Sequence, residues 1–210
     1  MKPSTFFLAL TLIYLFTTPS LSSRSIVDDT VVYDREGNQL QKDAFYFISP
    51  PIRGPLGDSV KLTRPFGGNE TCNEAYVIQP FFTPYPATPF SFTPVDSDVI
   101  KLGSPLAIQS TDSPCEGSTV WKVSSLTGPI ISGNIITTGG IINTPSSCLR
   151  ITKPEVPRFG GYIFEYCPYL CGPGFRICQP LGNNMGLLSP NAETPFEFVL
   201  NKASESAAAI

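Results

Sequence analysis

Asp96 and Asp98 stand two residues apart in the polar stretch Pro94-Val95-Asp96-Ser97-Asp98-Val99, and a pair of carboxylates at that spacing raises acid–base chemistry first. Such chemistry also needs a concave site and a polarised substrate. Two aspartates among Pro, Val and Ser read instead as a solvated acidic turn. The chain of 210 residues contains no histidine. That excludes imidazole bases, histidine-dependent triads and HExxH zinc sites together. The chain is therefore read as a non-enzyme without a cofactor.

Sulfur offers the other chemistry. The six cysteines are Cys72, Cys115, Cys148, Cys167, Cys171 and Cys178, with no Cys-x-x-Cys pair and no histidine to complete a metal set. Lys2, a largely apolar run over 6–16 and small residues at Ser20 and Ser22 form a secretory signal peptide, assigned to residues 1–23. An even cysteine count behind such a segment predicts disulfides rather than a metal site, although spacing alone does not choose the pairing. No later segment approaches the roughly 18 apolar residues of a spanning helix, so no membrane partner is expected. Fourteen basic and 17 acidic residues are scattered, and the densest basic stretch, 61–64, reads as the solvated side of a strand. Nucleic acid is not an expected partner.

The elements that must position these residues are short. Twenty-two prolines and 17 glycines leave almost no room for helices. Strand candidates fall at 76–78, 90–92, 99–102, 106–108, 120–123, 149–152, 162–166, 185–188 and 196–200, the spacing of an all-β barrel or sandwich. An N-terminal hairpin is predicted from strand 31–33, a turn over 34–38 with Gly37 at positive φ, and 45–48 as the returning strand. The prolines of 84–94 suggest a stiff loop leading into an edge strand at 90–92. The hexapeptides Ala87-Thr88-Pro89-Phe90-Ser91-Phe92 and Glu193-Thr194-Pro195-Phe196-Glu197-Phe198 echo one another, a weak internal repeat. Asn69-Glu70-Thr71 is an acceptor for N-glycosylation at Asn69, and the alanine-rich tail 203–210 reads as disordered.

The hairpin carries a longer pattern. Val32, Asp34, Glu36, Gly37, Leu40, Tyr46 and Ile48, in that spacing, resemble the signature of the plant Kunitz family typified by soybean trypsin inhibitor. The resemblance implies a twelve-stranded, pseudo-threefold β-trefoil over residues 24–202, with Trp121 in a core strand. It also implies bridges Cys72–Cys115 and Cys167–Cys178, leaving Cys148 for Cys171; if Cys171 takes the place of Cys178, those partners exchange.

Most of that family are secreted protease inhibitors. Their inhibitory loop follows a Ser-Pro or Thr-Pro and precedes a Pro-Leu pair, landmarks matched by Thr93-Pro94 and Pro105-Leu106. The implied loop is Pro94, Val95, Asp96, Ser97, Asp98 and Val99, with Asp96 at the primary specificity position and Ser97 after the scissile bond. Lys42 stands where relatives place a loop-supporting asparagine, either as a partner of Asp96 or Asp98 or as a solvated turn residue. Trypsin's pocket ends in a carboxylate, so Asp96 disfavours tight trypsin inhibition through this loop. The expectation is a secreted monomeric inhibitor of a cysteine, aspartic or other serine endopeptidase, with the vacuole as a second destination. The alternative is a non-inhibitory trefoil for storage, stress response or small-molecule binding.

Overall fold

The computed structural model describes residues 30–42, 44–52, 57–65, 71–81, 87–128 and 132–204. The segment expected to be a signal peptide, Asn69 and residues 205–210 lie outside them. Thirteen strands are present among the described residues, and they group into three successive units. The first unit holds β1 (Tyr46–Ser49), β2 (Lys61–Thr63), β3 (Tyr76–Ile78) and β4 (Phe90–Pro94). The second holds β5 (Pro105–Ser110), β6 (Lys122–Leu126), β7 (Gly133–Thr137) and β8 (Leu149–Thr152). The third holds β9 (Ile163–Tyr166), β10 (Gln179–Pro180), β11 (Gly182–Asn184), β12 (Leu187–Ser189) and β13 (Val199–Lys202). Only Leu181 separates β10 from β11, so twelve strands carry the architecture and one is interrupted.

Outer strands of the units form a barrel, in the order β9-β8-β5-β4-β1-β13. A bridge between Tyr162 and Phe198, with both N–H groups donating at 2.8 Å, returns β13 to β9 and closes the ring. Inner strands form the hairpins β2–β3, β6–β7 and β11–β12, which meet where β3 pairs with β12 and β7. Three backbone bonds repeat the same geometry. Val60 donates to Ile48, Trp121 to Ile108 and Leu181 to Phe164, each at 2.8 Å, tying the start of each inner hairpin to its barrel strand. This is a β-trefoil. The echoing hexapeptides lie on or lead into β4 and β13, the fourth strands of units one and three.

Aromatic residues fill the barrel. Phe90, Phe92, Trp121, Phe164 and Phe198 are fully buried. Trp121 meets Phe90 and Phe164 edge-on at 5.0 and 5.8 Å, and Phe164 stacks on Phe198 at 4.0 Å. Such contacts add to burial because the positive ring edge meets a negative face.

The structure departs from the sequence-based expectation at several elements. Residues 31–33 fold back on 38–40, through the Tyr33–Gln39 bridge and the Leu40 N–H to Val32 bond, and not on 45–48. The 45–48 segment instead supplies β1, which pairs with β13 and β4. Segment 99–102 forms only a bridge from Lys101 to Val31. β4 is paired on both sides, with β1 and β5, and is not an edge strand. Lys61 is buried rather than solvated, and that burial lowers its pKa. Met185 occupies a positive-φ turn between β11 and β12 rather than a strand.

Candidate inhibitory loop

The six residues expected to carry inhibition connect two barrel strands. β4 ends at Pro94, opposite Leu106 on β5, and the Val95 N–H donates to the Pro105 carbonyl at 3.0 Å. Those contacts form a neck. Beyond it Asp96, Ser97 and Asp98 are exposed, while Val95 and Val99 are half-buried. The Ser97 hydroxyl donates to the Val99 carbonyl at 2.6 Å, folding the tip onto its descending side. Ile100 then plunges into the core, and its carbonyl accepts from Val32 N–H at 3.2 Å. An exposed tip is thus clamped at both feet.

The second clamp belongs to the N-terminal hairpin, whose motif residues now have physical roles. The Asp34 carboxylate accepts N–H bonds from Glu36 and Asn38 at 3.0 and 2.8 Å, closing the turn, and Gly37 takes φ +84°. Leu40 and Ile48 are core residues. The buried Tyr46 hydroxyl accepts from Gln41 N–H at 3.0 Å, fixing the backbone just before Lys42. Burial raises the Tyr46 pKa above its ordinary value, so this hydroxyl stays protonated at neutral pH.

From this fixed turn Lys42 reaches across to the loop. Its Nζ lies 2.6 Å from Asp98 Oδ1, with the side chains 43% and 89% exposed. Of the alternatives for Lys42, the structure contains the Asp98 pair. The hydrogen bond from Lys42, and then its positive charge, hold the Asp98 carboxyl below the usual carboxylate range. Asp96 takes no part in that pair and projects from the tip.

Disulfides join Cys72 to Cys115, Cys148 to Cys171 and Cys167 to Cys178. Glu165 approaches Cys167 and Cys178, but both sulfurs are bonded to each other and Arg150 holds the carboxylate at 2.7 Å. Disulfide sulfurs are not thiolate ligands.

The strand order and the three repeated units define a disulfide-bonded β-trefoil, and comparison with known proteins assigns the family. Residues 32–202 match the legume Kunitz family described as trypsin and protease inhibitor, and the chain belongs to that family. A 21 kDa seed protein of Theobroma cacao is 27% identical over 161 residues, covering 73% of this chain and 71% of that one. A Kunitz-type trypsin inhibitor-like 1 protein of Pisum sativum is 30% identical over 178 residues, covering 81% and 77% respectively. Among solved structures, a Kunitz-type cysteine protease inhibitor from potato is 27% identical with a TM-score of 0.68, covering 83% of this chain and 98% of that one.

Proposed function

We propose that the protein is a secreted, monomeric inhibitor of endopeptidases, without catalytic activity, that presents loop 94–99 to a protease cleft. The observation that carries this reading is the exposed Asp96–Asp98 tip held between the Val95–Pro105 neck and the Lys42–Asp98 pair. A loop already ordered in the free protein loses little conformational entropy on binding, which favours tight and slowly reversed complexes.

Asp96 occupies the primary specificity position and Ser97 follows the scissile bond. A carboxylate there would meet the carboxylate of trypsin's pocket without a compensating charge, so this loop serves a target other than trypsin. Cysteine and aspartic proteases are the better targets, and the similarity to a potato cysteine protease inhibitor supports the former. Signal-peptide removal near residue 23, delivery to the apoplast or vacuole and glycosylation at Asn69 complete the proposal.

Incubating the purified mature protein with trypsin, chymotrypsin, a papain-like protease and a cathepsin D-like protease tests it. Submicromolar inhibition of at least one enzyme is expected. Trypsin inhibition of that strength, abolished by Asp96→Ala, would contradict the assignment of the loop. The departures at Asp96 and Lys42 also favour a second reading, a non-inhibitory storage, stress or small-molecule-binding trefoil. Failure to inhibit any of the four enzymes would select it.

A further inference from the structure

A second loop stands out from the same barrel by its chemistry. Between Cys167 and Cys178 the chain runs Pro168-Tyr169-Leu170-Cys171-Gly172-Pro173-Gly174-Phe175-Arg176-Ile177. Phe175 and Ile177 are 81% and 75% exposed, and Arg176 between them is exposed as well. Leaving two large apolar side chains in water on either side of a cation is unfavourable for a free molecule, and such exposure marks binding surfaces.

The loop is not held out by chance packing. Its ends are joined by the Cys167–Cys178 disulfide, with Cα atoms 4.4 Å apart. The Cys148–Cys171 bridge anchors its first half to the start of β8. Gly174 lies so close to Pro168 that an added Cβ would come within 2.7 Å of its ring, and Gly172 packs against Pro145 with φ +138°. Beyond Gly174, Phe175, Arg176 and Ile177 run to the bridged Cys178 outside any strand, with bends at Arg176 and Ile177 and no positive φ. The Arg176 side chain makes no hydrogen bond or ion pair among the described residues.

We propose that Phe175-Arg176-Ile177 is a second, disulfide-braced protease-binding loop, separate from loop 94–99, directed at an endopeptidase cleft that takes an apolar residue followed by arginine. A carboxylate-floored pocket would receive the Arg176 guanidinium through paired charge-assisted hydrogen bonds, and an apolar neighbouring subsite would cover Phe175. Hydrolysis of the Arg176–Ile177 bond would consume one water and leave a carboxylate on Arg176 and an amine on Ile177. Both new ends would remain joined through Cys167–Cys178, so they stay in the cleft and re-formation of the bond, with release of the same water, competes with dissociation.

The inference rests on reading the chain as a protease inhibitor. Its test measures inhibition constants of the full mature protein against trypsin and papain, representing serine and cysteine endopeptidases, for wild type, Arg176→Glu and Arg176→Lys. At least one enzyme should be inhibited below micromolar concentration. For that enzyme Arg176→Glu should weaken inhibition by about a hundredfold, with Arg176→Lys retaining most of it. Circular dichroism and thiol titration check that each variant is folded and fully bridged; if Arg176→Glu were not, Arg176→Gln supplies the same comparison. Unchanged inhibition by the charge-altering variant, rapid cleavage after Arg176 without inhibition, or inhibition of neither enzyme would overturn the proposal. Inhibition of other proteases independent of Arg176 would overturn this loop alone, whereas silence towards every protease would overturn the inhibitor reading with it.

Discussion

A carboxylate at the tip of loop 94–99 and a carboxylate at the floor of trypsin's pocket repel one another, and burying both without a cation costs several kcal/mol. The reverse substitution is therefore informative. In an Arg176→Glu background, which removes the other exposed arginine loop, Asp96→Arg should strengthen trypsin inhibition by about a hundredfold. A titration of trypsin activity reads this directly, and no gain would mean that Asp96 does not face the primary pocket. Lys42 bears on the same loop differently. Because the Lys42–Asp98 pair is exposed, Lys42→Ala should leave folding stability nearly unchanged. Its electrostatic effect is visible by another route. Lys42 lowers the Asp98 pKa, so any stabilisation from the pair is present above the ordinary carboxylate range and is lost as pH falls through the lowered value. In Lys42→Ala the Asp98 carboxyl, followed by NMR, should titrate at higher pH than in the wild type.

Elements differ in how far their residues declared them. The turn at 34–38 was legible because Asp34, Gly37 and Asn38 each have a local task, and Gly37 does take positive φ. Its strand partner was not legible. Alternating apolar residues say that 45–48 is extended, but its partners are β13, some 150 residues away, and β4. Residues 99–102 have the composition of a strand, yet the segment serves as the foot of the loop and makes one bridge. β7 is not legible in the sequence because Gly133 and Asn134 open it and the adjacent Ile135 and Ile136 are both buried, which hides the alternation. Within the loop, the landmarks at Thr93-Pro94 and Pro105-Leu106 indicated its limits, whereas the Ser97–Val99 bond and the Ile100–Val32 contact depend on folded geometry. Loop 172–178 did carry a signal, Phe and Ile beside arginine after Gly-Pro-Gly, but apolar residues in sequence do not reveal that they face water. Glycine substitutions test the element assignments. Gly37→Ala has open space around its Cβ and should cost roughly 1 kcal/mol from positive φ alone. Gly182→Ala would drive a Cβ into the Thr194 carbonyl and should cost more, about 1–3 kcal/mol or above, in denaturant titrations.

At the scale of the molecule, three units share one aromatic core, so damage to a central ring is felt by all of them. Phe164 contacts Phe92, Trp121 and Phe198 from the three units, and Phe164→Ala should lower stability by about 3–5 kcal/mol while leaving both loops' residues intact. Chemical denaturation followed by Trp121 fluorescence measures it, and a loss below 1 kcal/mol would mean that the barrel does not share one core. The barrel and its disulfides thus form one frame from which the loops project. Loop 94–99 springs from adjacent barrel strands and leans on the N-terminal hairpin, so its shape is determined before any partner arrives. The most direct measurement of that account is inhibition of trypsin, chymotrypsin, papain-like and cathepsin D-like proteases by the mature protein and its Asp96→Ala variant. The account predicts submicromolar inhibition of at least one enzyme, with any inhibition of trypsin surviving the substitution; trypsin inhibition lost with Asp96, or inactivity towards all four, would contradict it.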